Sequence, residues 1–160
     1  MNGGLMELAS QHREFMKAAL REARLALDHG DVPVGAVVVR ADRIIARGHN
    51  QRELLKDPTA HAEMIAITSA AAEVGDWRLE DCDLYVTLEP CPMCASAIQQ
   101  ARLRRLVFGA PDPVMGACGS RLMIPADKRL GKPIEIIAPV MMEECSLLLG
   151  EFFASIRNPK

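Results

Sequence analysis

Leu84-Tyr85-Val86-Thr87-Leu88-Glu89-Pro90-Cys91-Pro92-Met93-Cys94 passes from a strand into a helix start with almost no connection between them. Residues 84–88 form a short apolar run with β-branched and aromatic members, the composition of a buried strand. Pro92 suits the first position of a helix, where a missing N–H costs nothing and the fixed φ is already helical. Cys91 then lies close to the helix N-cap, and Cys94 follows one turn in on the same side. A strand that feeds a helix directly is half of a βα unit, so this stretch predicts an α/β fold with two thiols at the end of one strand.

His61-Ala62-Glu63 supplies what those thiols lack. A helix is expected over 59–74, stopped by Gly75, with Ala60, Met64, Ile67 and Ala71 as its buried stripe and with His61 and Glu63 in its first turn. One His and two Cys make a three-ligand zinc site, and three protein ligands leave the fourth tetrahedral position for water, the arrangement of catalytic zinc. Both helix starts carry partial positive charge that favours thiolate over thiol. Glu63, beside the metal without ligating it, can take a proton from water and hand protons on. A Cys-x-x-Cys taken alone also suits a redox pair, or half of a closed structural zinc site with His49 or Cys118 as fourth ligand.

The remaining chain reads as alternating elements. A covering helix is expected over 10–28, with Ser10 as N-cap and Gly30 as stop, because Phe15, Met16, Ala19, Leu20, Ala23, Ala26 and Leu27 recur at helical spacing. Residues 34–39 predict a buried strand, and Ala41-Asp42 turns the chain into a second through Ile44, Ile45 and Ala46. Gly35 and Ala36 leave little side chain there, which suits tight packing under a helix and also room for a flat base. Polar residues 50–58 predict a loop, 106–110 a fourth strand, 111–119 a Pro- and Gly-rich loop, 121–123 a short helix and 134–138 a fifth strand. A last helix over 142–156 has Cys145, Leu148, Leu149, Phe152 and Ile156 at 3.6-residue spacing. His12 and His29 are assigned to the surface, and Cys82 and Cys145 to the core as small hydrophobes. Strands alternating with helices after an opening hairpin predict a three-layer α/β/α sandwich around a five-stranded mixed sheet.

Composition narrows the function classes. At 160 residues, 49% hydrophobic and 25% charged, the chain has the size and balance of one globular domain spanning 1–160, with no apolar run long enough to cross a bilayer. The first residues lack a basic segment followed by an apolar one, and five cysteines is an odd number, so a disulfide framework is not expected and a cytoplasmic location is. The net charge of −2 gives no global nucleic-acid signature. Nine of the 19 basic residues but only six of the 21 acidic ones follow position 100, so a local basic surface around Arg102, Arg104, Arg105, Lys128, Arg129 and Lys132 is compatible with phosphate contacts.

The sequence resembles the tRNA-specific adenosine deaminases of the cytidine/deoxycytidylate deaminase superfamily over nearly its whole length. The matching stretches are residues 32–37, Asn50, residues 57–63, 84–91 and 107–110, Gly116-Ala117, Gly119-Ser120 and Glu144-Cys145 leading to Phe152-Phe153. The resemblance implies a cytidine-deaminase-like fold, one Zn2+ per chain on His61, Cys91 and Cys94, Glu63 as the catalytic acid and base, and a homodimer. It implies hydrolytic conversion of adenosine to inosine at the wobble position of a tRNA anticodon loop, the base being splayed into the pocket. By position, Asn50 would hydrogen-bond the purine, Val34 and the Ala62 backbone N–H would shape the pocket, and Asp112 would accept from a ribose 2′-OH. The chain departs from the family pattern at Val114, where a Lys is usual, at Ser96, where a Gly is usual, and in a C-terminus, residues 157–160, that is shorter and less basic. Each lost phosphate contact weakens RNA binding in a salt-dependent way. The competing reading is a deaminase of a free base or nucleoside (guanine, cytosine or cytidine), from which the 111–119 loop and the basic residues of 102–132 would separate an RNA enzyme. A zinc or redox module without activity is the reading from another class.

Overall fold

The computed structural model describes residues 2–158, so Pro159 and Lys160 of the C-terminal segment fall outside it. Helix α1 (Asn2–Ala26) is followed by a hairpin of β1 (Gly35–Arg40) and β2 (Arg43–His49), a short α2 (Arg52–Leu55) and α3 (Ala62–Val74). Then come β3 (Cys82–Leu88), α4 (Pro92–Gln100), β4 (Arg105–Ala110), β5 (Glu135–Ile137) and α5 (Met142–Arg157). The five strands form one mixed sheet in the order β2-β1-β3-β4-β5. Strand β1 pairs antiparallel with both β2 and β3, whereas β3, β4 and β5 run parallel.

Period-two alternation sends successive side chains to opposite faces of this sheet. Val37, Val39, Tyr85 and Val107 pack with Met16, Ala19, Leu20 and Ala23 of α1 and Cys145 and Leu148 of α5. Ala36, Val38, Leu84, Val86, Leu106 and Phe108 pack with Ala62, Ala66 and Ala70 of α3 and Ile98 of α4. Two helical layers thus sandwich the sheet. Gly35 serves tight packing, because a Cβ there would overlap Ala19 O and Ala23 N of α1.

Several expected boundaries move. Helix α1 begins at Asn2, with Ser10 inside it, because residues 5–9 are good helix formers that propagate from the packed part even though Leu5 and Met6 stay exposed. The loop over 50–58 contains α2, two of whose N–H groups, those of Glu53 and Leu54, are satisfied from outside the segment by Asp31. Helix α3 starts at Ala62, since His61 is extended (φ −75°, ψ 151°). Its sheet-facing stripe is Ala62, Ala66 and Ala70, with Met64, Ile67 and Ala71 half-buried on the flanks, so close approach selected the smallest apolar side chains, not the largest.

Residues 121–123 are not helical. Arg121 N and Leu122 N both donate to Gly116 O, and Cys118 pairs with Met123 as an antiparallel bridge, which makes this stretch the return arm of a turn. Ile156 is exposed, and only Cys145 and Leu148 of the α5 stripe are buried. His12 is buried, not superficial: its Nδ1 lies 2.7 Å from the Tyr85 hydroxyl, which would otherwise lack a partner between α1 and the sheet. Cys82 and Cys145 are buried free thiols.

Candidate active site

The sheet's parallel strands end at one rim, and the starts of α3 and α4 meet there, at the crevice where open α/β sheets usually bind ligands. His61 caps α3 and Cys91 caps α4, each extended, with Pro92 at the first helical position. His61 Nδ1 faces both thiols, 3.6 Å from Cys91 Sγ and 3.4 Å from Cys94 Sγ. Zinc bonds of ~2.3 Å to sulfur and ~2.05 Å to nitrogen, meeting at a tetrahedral angle, set S and N roughly 3.6 Å apart. The three donors therefore fit one tetrahedral Zn2+, and their three ligand atoms all lie within 4.8 Å of one another.

No fourth protein ligand joins them among the described residues. His49 Nδ1 lies 3.3 Å from Glu22 Oε2, and the Cys118 thiol lies 4.0 Å from Pro90 O. Among the protein groups alone, Cys91 is drawn down to about 4, chiefly by the Cys94 thiol and further by the His61 ring. Contact with Cys91 pushes His61 up and, with burial, pushes Cys94 up much further. A divalent cation between them reverses that direction at Cys94, since a coordinating thiol is deprotonated outright.

A cavity of about 490 Å³ opens beside this cluster, and Glu63, Val34, Asn50, Ala62 and Asp112 all line it with His61 and Cys91. Glu63 is only 4% exposed. Burial pushes its carboxyl up, the direction that suits a group exchanging protons near neutrality. Asn50, 6% exposed, donates from Nδ2 to Val32 O at 3.2 Å and accepts at Oδ1 from Arg52 N at 3.2 Å. One amide hydrogen and one lone pair of its inventory remain for a ligand. Ala62 opens α3, where a backbone N–H has no partner within the helix. Asp112 is half-buried and accepts at Oδ1 from Val114 N (2.9 Å) and Met115 N (3.1 Å), so it shapes its own turn as well as facing the cavity.

Two carboxylates escaped the sequence reading. Asp31, from the turn after α1, accepts from Glu53 N at 2.8 Å and Leu54 N at 3.2 Å and thereby caps α2 next to the cavity. Glu89 is 2% exposed, lines the cavity, and accepts from Asp112 N, Cys118 N, Ser120 N and the Ser120 hydroxyl. Burial would raise its carboxyl, but these hydrogen bonds outweigh burial and hold it below the usual range. The available signal was an acid closing an apolar strand, since a buried carboxylate must be paired.

The basic residues of 102–132 do not line this cavity. Arg102, Arg104 and Lys132 line a separate groove of about 630 Å³ with Trp77, near the opposite ends of β3 and β4. Arg104 is spent on Asp83 at 2.8 Å and Arg129 on Asp127 at 2.7 Å, while Arg105 reaches Glu135 at 3.1 Å. Arg52 is the one basic side chain on the catalytic cavity wall among the described residues, His61 aside. Val114 and Ser96, two of the three family departures, are both exposed.

Comparison with known proteins supplies the context for this geometry. The family described as the cytidine and deoxycytidylate deaminase zinc-binding region matches residues 9–110. The chain is 44% identical over 151 residues to a tRNA-specific adenosine deaminase of Bacillus subtilis, covering 94% of each chain. It is 45% identical over 144 residues to that of Aquifex aeolicus, covering 90% of this chain and 95% of the other. A solved tRNA:A34 deaminase, studied for A-to-I editing at the wobble position of transfer RNA, superposes with a TM-score of 0.81 at 43% identity over 84% of this chain and 98% of its own. A guanine deaminase from Nitrosomonas europaea superposes at 0.74 over 88% of this chain and 83% of its own, and at 24% identity it shows the fold alone.

Proposed function

This chain belongs to the cytidine and deoxycytidylate deaminase family, and from that premise we infer that it converts adenosine to inosine at the wobble position of a tRNA anticodon by zinc-dependent hydrolysis. The observation that carries the choice of substrate is near-full-length similarity at 44–45% identity to relatives named tRNA-specific adenosine deaminases, combined with a cavity that holds the whole reacting set. His61, Cys91 and Cys94 hold one Zn2+ in this reading. When bound, the ion supplies Lewis acidity that lowers the pKa of a water molecule toward about 7.

The residues around it have separate tasks. Glu63 accepts a proton from the attacking water at a carboxylate oxygen and delivers it to the purine ring nitrogen, then takes the second proton from the oxygen newly bonded to carbon and passes it to the departing amine, so the C–N bond is replaced by a carbonyl and ammonia leaves. Asn50 uses its remaining amide hydrogen and lone pair on the purine edge, and Val34 with the first turn of α3 at Ala62 bounds the slot. The Asp112 carboxylate accepts from the ribose 2′-OH, an interaction that favours RNA over DNA. The 160 residues act as one catalytic domain working as a homodimer, a reading that family resemblance supports and that fits more than half-exposed Leu54 and Leu55 on α2, and five free cysteines favour a reducing compartment, the cytoplasm. Among the described residues no helix is long and apolar enough to cross a membrane.

The test is incubation of the purified protein with a tRNA bearing a wobble adenosine, with free guanine, cytosine and cytidine in parallel, read by mass spectrometry. Inosine in the tRNA is expected. Deamination of a free base or nucleoside with none in the tRNA would replace this substrate.

A further inference from the structure

Residues 112–120 form one wall of the catalytic cavity, through Asp112 and Met115, yet apart from one isolated bridge at Cys118 they belong to no helix or strand. Asp112 Oδ1 shapes the turn at Val114 and Met115, and Pro90 O holds Ala117 N, but one side chain from outside the loop, Glu89, reaches both of its ends. Glu89 Oε1 accepts from Asp112 N at 3.1 Å and from the Ser120 hydroxyl, while Oε2 accepts from Cys118 N at 3.0 Å and Ser120 N at 3.1 Å. Its own N–H donates to Ala110 O at 2.8 Å, tying the carboxylate to the end of β4. Gly116 lies so close that a Cβ there would collide with Glu89 Oε2. The loop is wrapped around the carboxylate, grasped at both ends.

We infer that Glu89 is a positioning residue for substrate, holding residues 112–120 as the wall of the cavity that meets the nucleotide; this rests on the deaminase reading above. Only an ionised carboxylate offers acceptor sites to four donors with no hydrogen of its own. A glutamine at the same place must turn its NH2 toward a donor. At the Oε2 position it would oppose two backbone N–H groups, Cys118 and Ser120. At the Oε1 position the Ser120 hydroxyl can reverse and accept, so the amide settles there and the one orphaned donor is Asp112 N, on the substrate side of the loop. Glu89→Gln therefore loosens the wall next to the nucleotide and leaves the rest of the loop attached.

The experiment uses the full zinc-loaded chain, wild type beside Glu89→Gln and Ser120→Ala, with an anticodon stem-loop RNA carrying a wobble adenosine. Glu89→Gln is expected to raise KM roughly tenfold with kcat within about twofold, and Ser120→Ala to raise KM about threefold. Zinc content should hold in both, and amide exchange over residues 112–120 should accelerate in Glu89→Gln. A KM unchanged in Glu89→Gln, or a fall confined to kcat, or exchange as slow as in the wild type overturns the assignment. If Glu89→Gln does not fold, Ser120→Ala decides, and a KM equal to wild type overturns it. A wild type that turns over a free base and not RNA refutes the RNA reading separately, and the same KM split with that base then decides the role of Glu89.

Discussion

Asp31→Ala should loosen a piece of the active-site wall that has almost no packing of its own. Helix α2 is four residues long, and all four are exposed, so burial cannot hold it. The Asp31 carboxylate, 2% exposed, holds it instead through Glu53 N at 2.8 Å and Leu54 N at 3.2 Å, and itself accepts from His29 Nδ1 at 2.7 Å. Loss of a helix cap costs ~0.5–2 kcal/mol, and the His29 contact adds roughly 0.5–1.5 kcal/mol, so about 1–3.5 kcal/mol is expected in all. At ~2–4 °C per kcal/mol for a domain of this size, Tm should fall roughly 2–14 °C. Because Arg52 opens this helix and Asn50 stands just before it, both on the cavity wall, KM should rise as well.

The pH dependence has a defined sign. Burial alone would raise the Asp31 carboxyl, but hydrogen bonds from Glu53, Leu54 and His29 outweigh it and leave the folded-state pKa below the ordinary value. A depressed carboxyl stabilises the fold above its unfolded pKa and loses that contribution as pH falls through the folded value. Urea unfolding should therefore give a wild-type advantage over Asp31→Ala that is full near neutrality and closes only well below pH ~4. A stability within about 0.5 kcal/mol of wild type at pH 7 would refute the carboxylate's hold on α2.

Two further substitutions separate scaffold from site. Gly35→Val drives a side chain into the backbone of α1 at Ala19 and Ala23, and should cost ~1–3 kcal/mol in denaturant unfolding, whereas an unchanged midpoint would mean that the helix gives way freely. Cys94→Ala removes one of three donors and should leave the purified protein with less than a tenth of its zinc by elemental analysis, and retained stoichiometry would point to another ligand.

The elements that could be read from the chain were those whose residues carry their own signal. Pro92 marks the start of α4, Gly75 the end of α3, and short apolar runs with β-branched or aromatic members mark β1, β3 and β4. The spacing of His61, Cys91 and Cys94 pointed to one metal because a helix N-cap and a Cys-x-x-Cys turn are local geometries, and the structure brings those three donors together. What local pattern does not encode is which partner arrives from elsewhere. Asp31 caps a helix 22 residues downstream, Glu89 gathers a loop up to 31 residues away, and His12 meets Tyr85 across 73 residues. Each reads locally as an ordinary polar residue, and each is buried because a distant donor or acceptor satisfies it. The stripe of α3 was misplaced for a related reason: depth of approach to the sheet is decided by what lies beneath, so Ala62, Ala66 and Ala70 went inward ahead of Met64 and Ile67.

The central claim is that a buried acid beside a three-donor zinc site moves the protons while taking no part in holding the metal. Glu63→Ala, measured for zinc content and for inosine formation on the same preparation, tests it most directly. About one zinc per chain with turnover lower by ~10²–10⁴-fold is the expected result. Turnover close to wild type, or zinc lost along with the carboxylate, would contradict it.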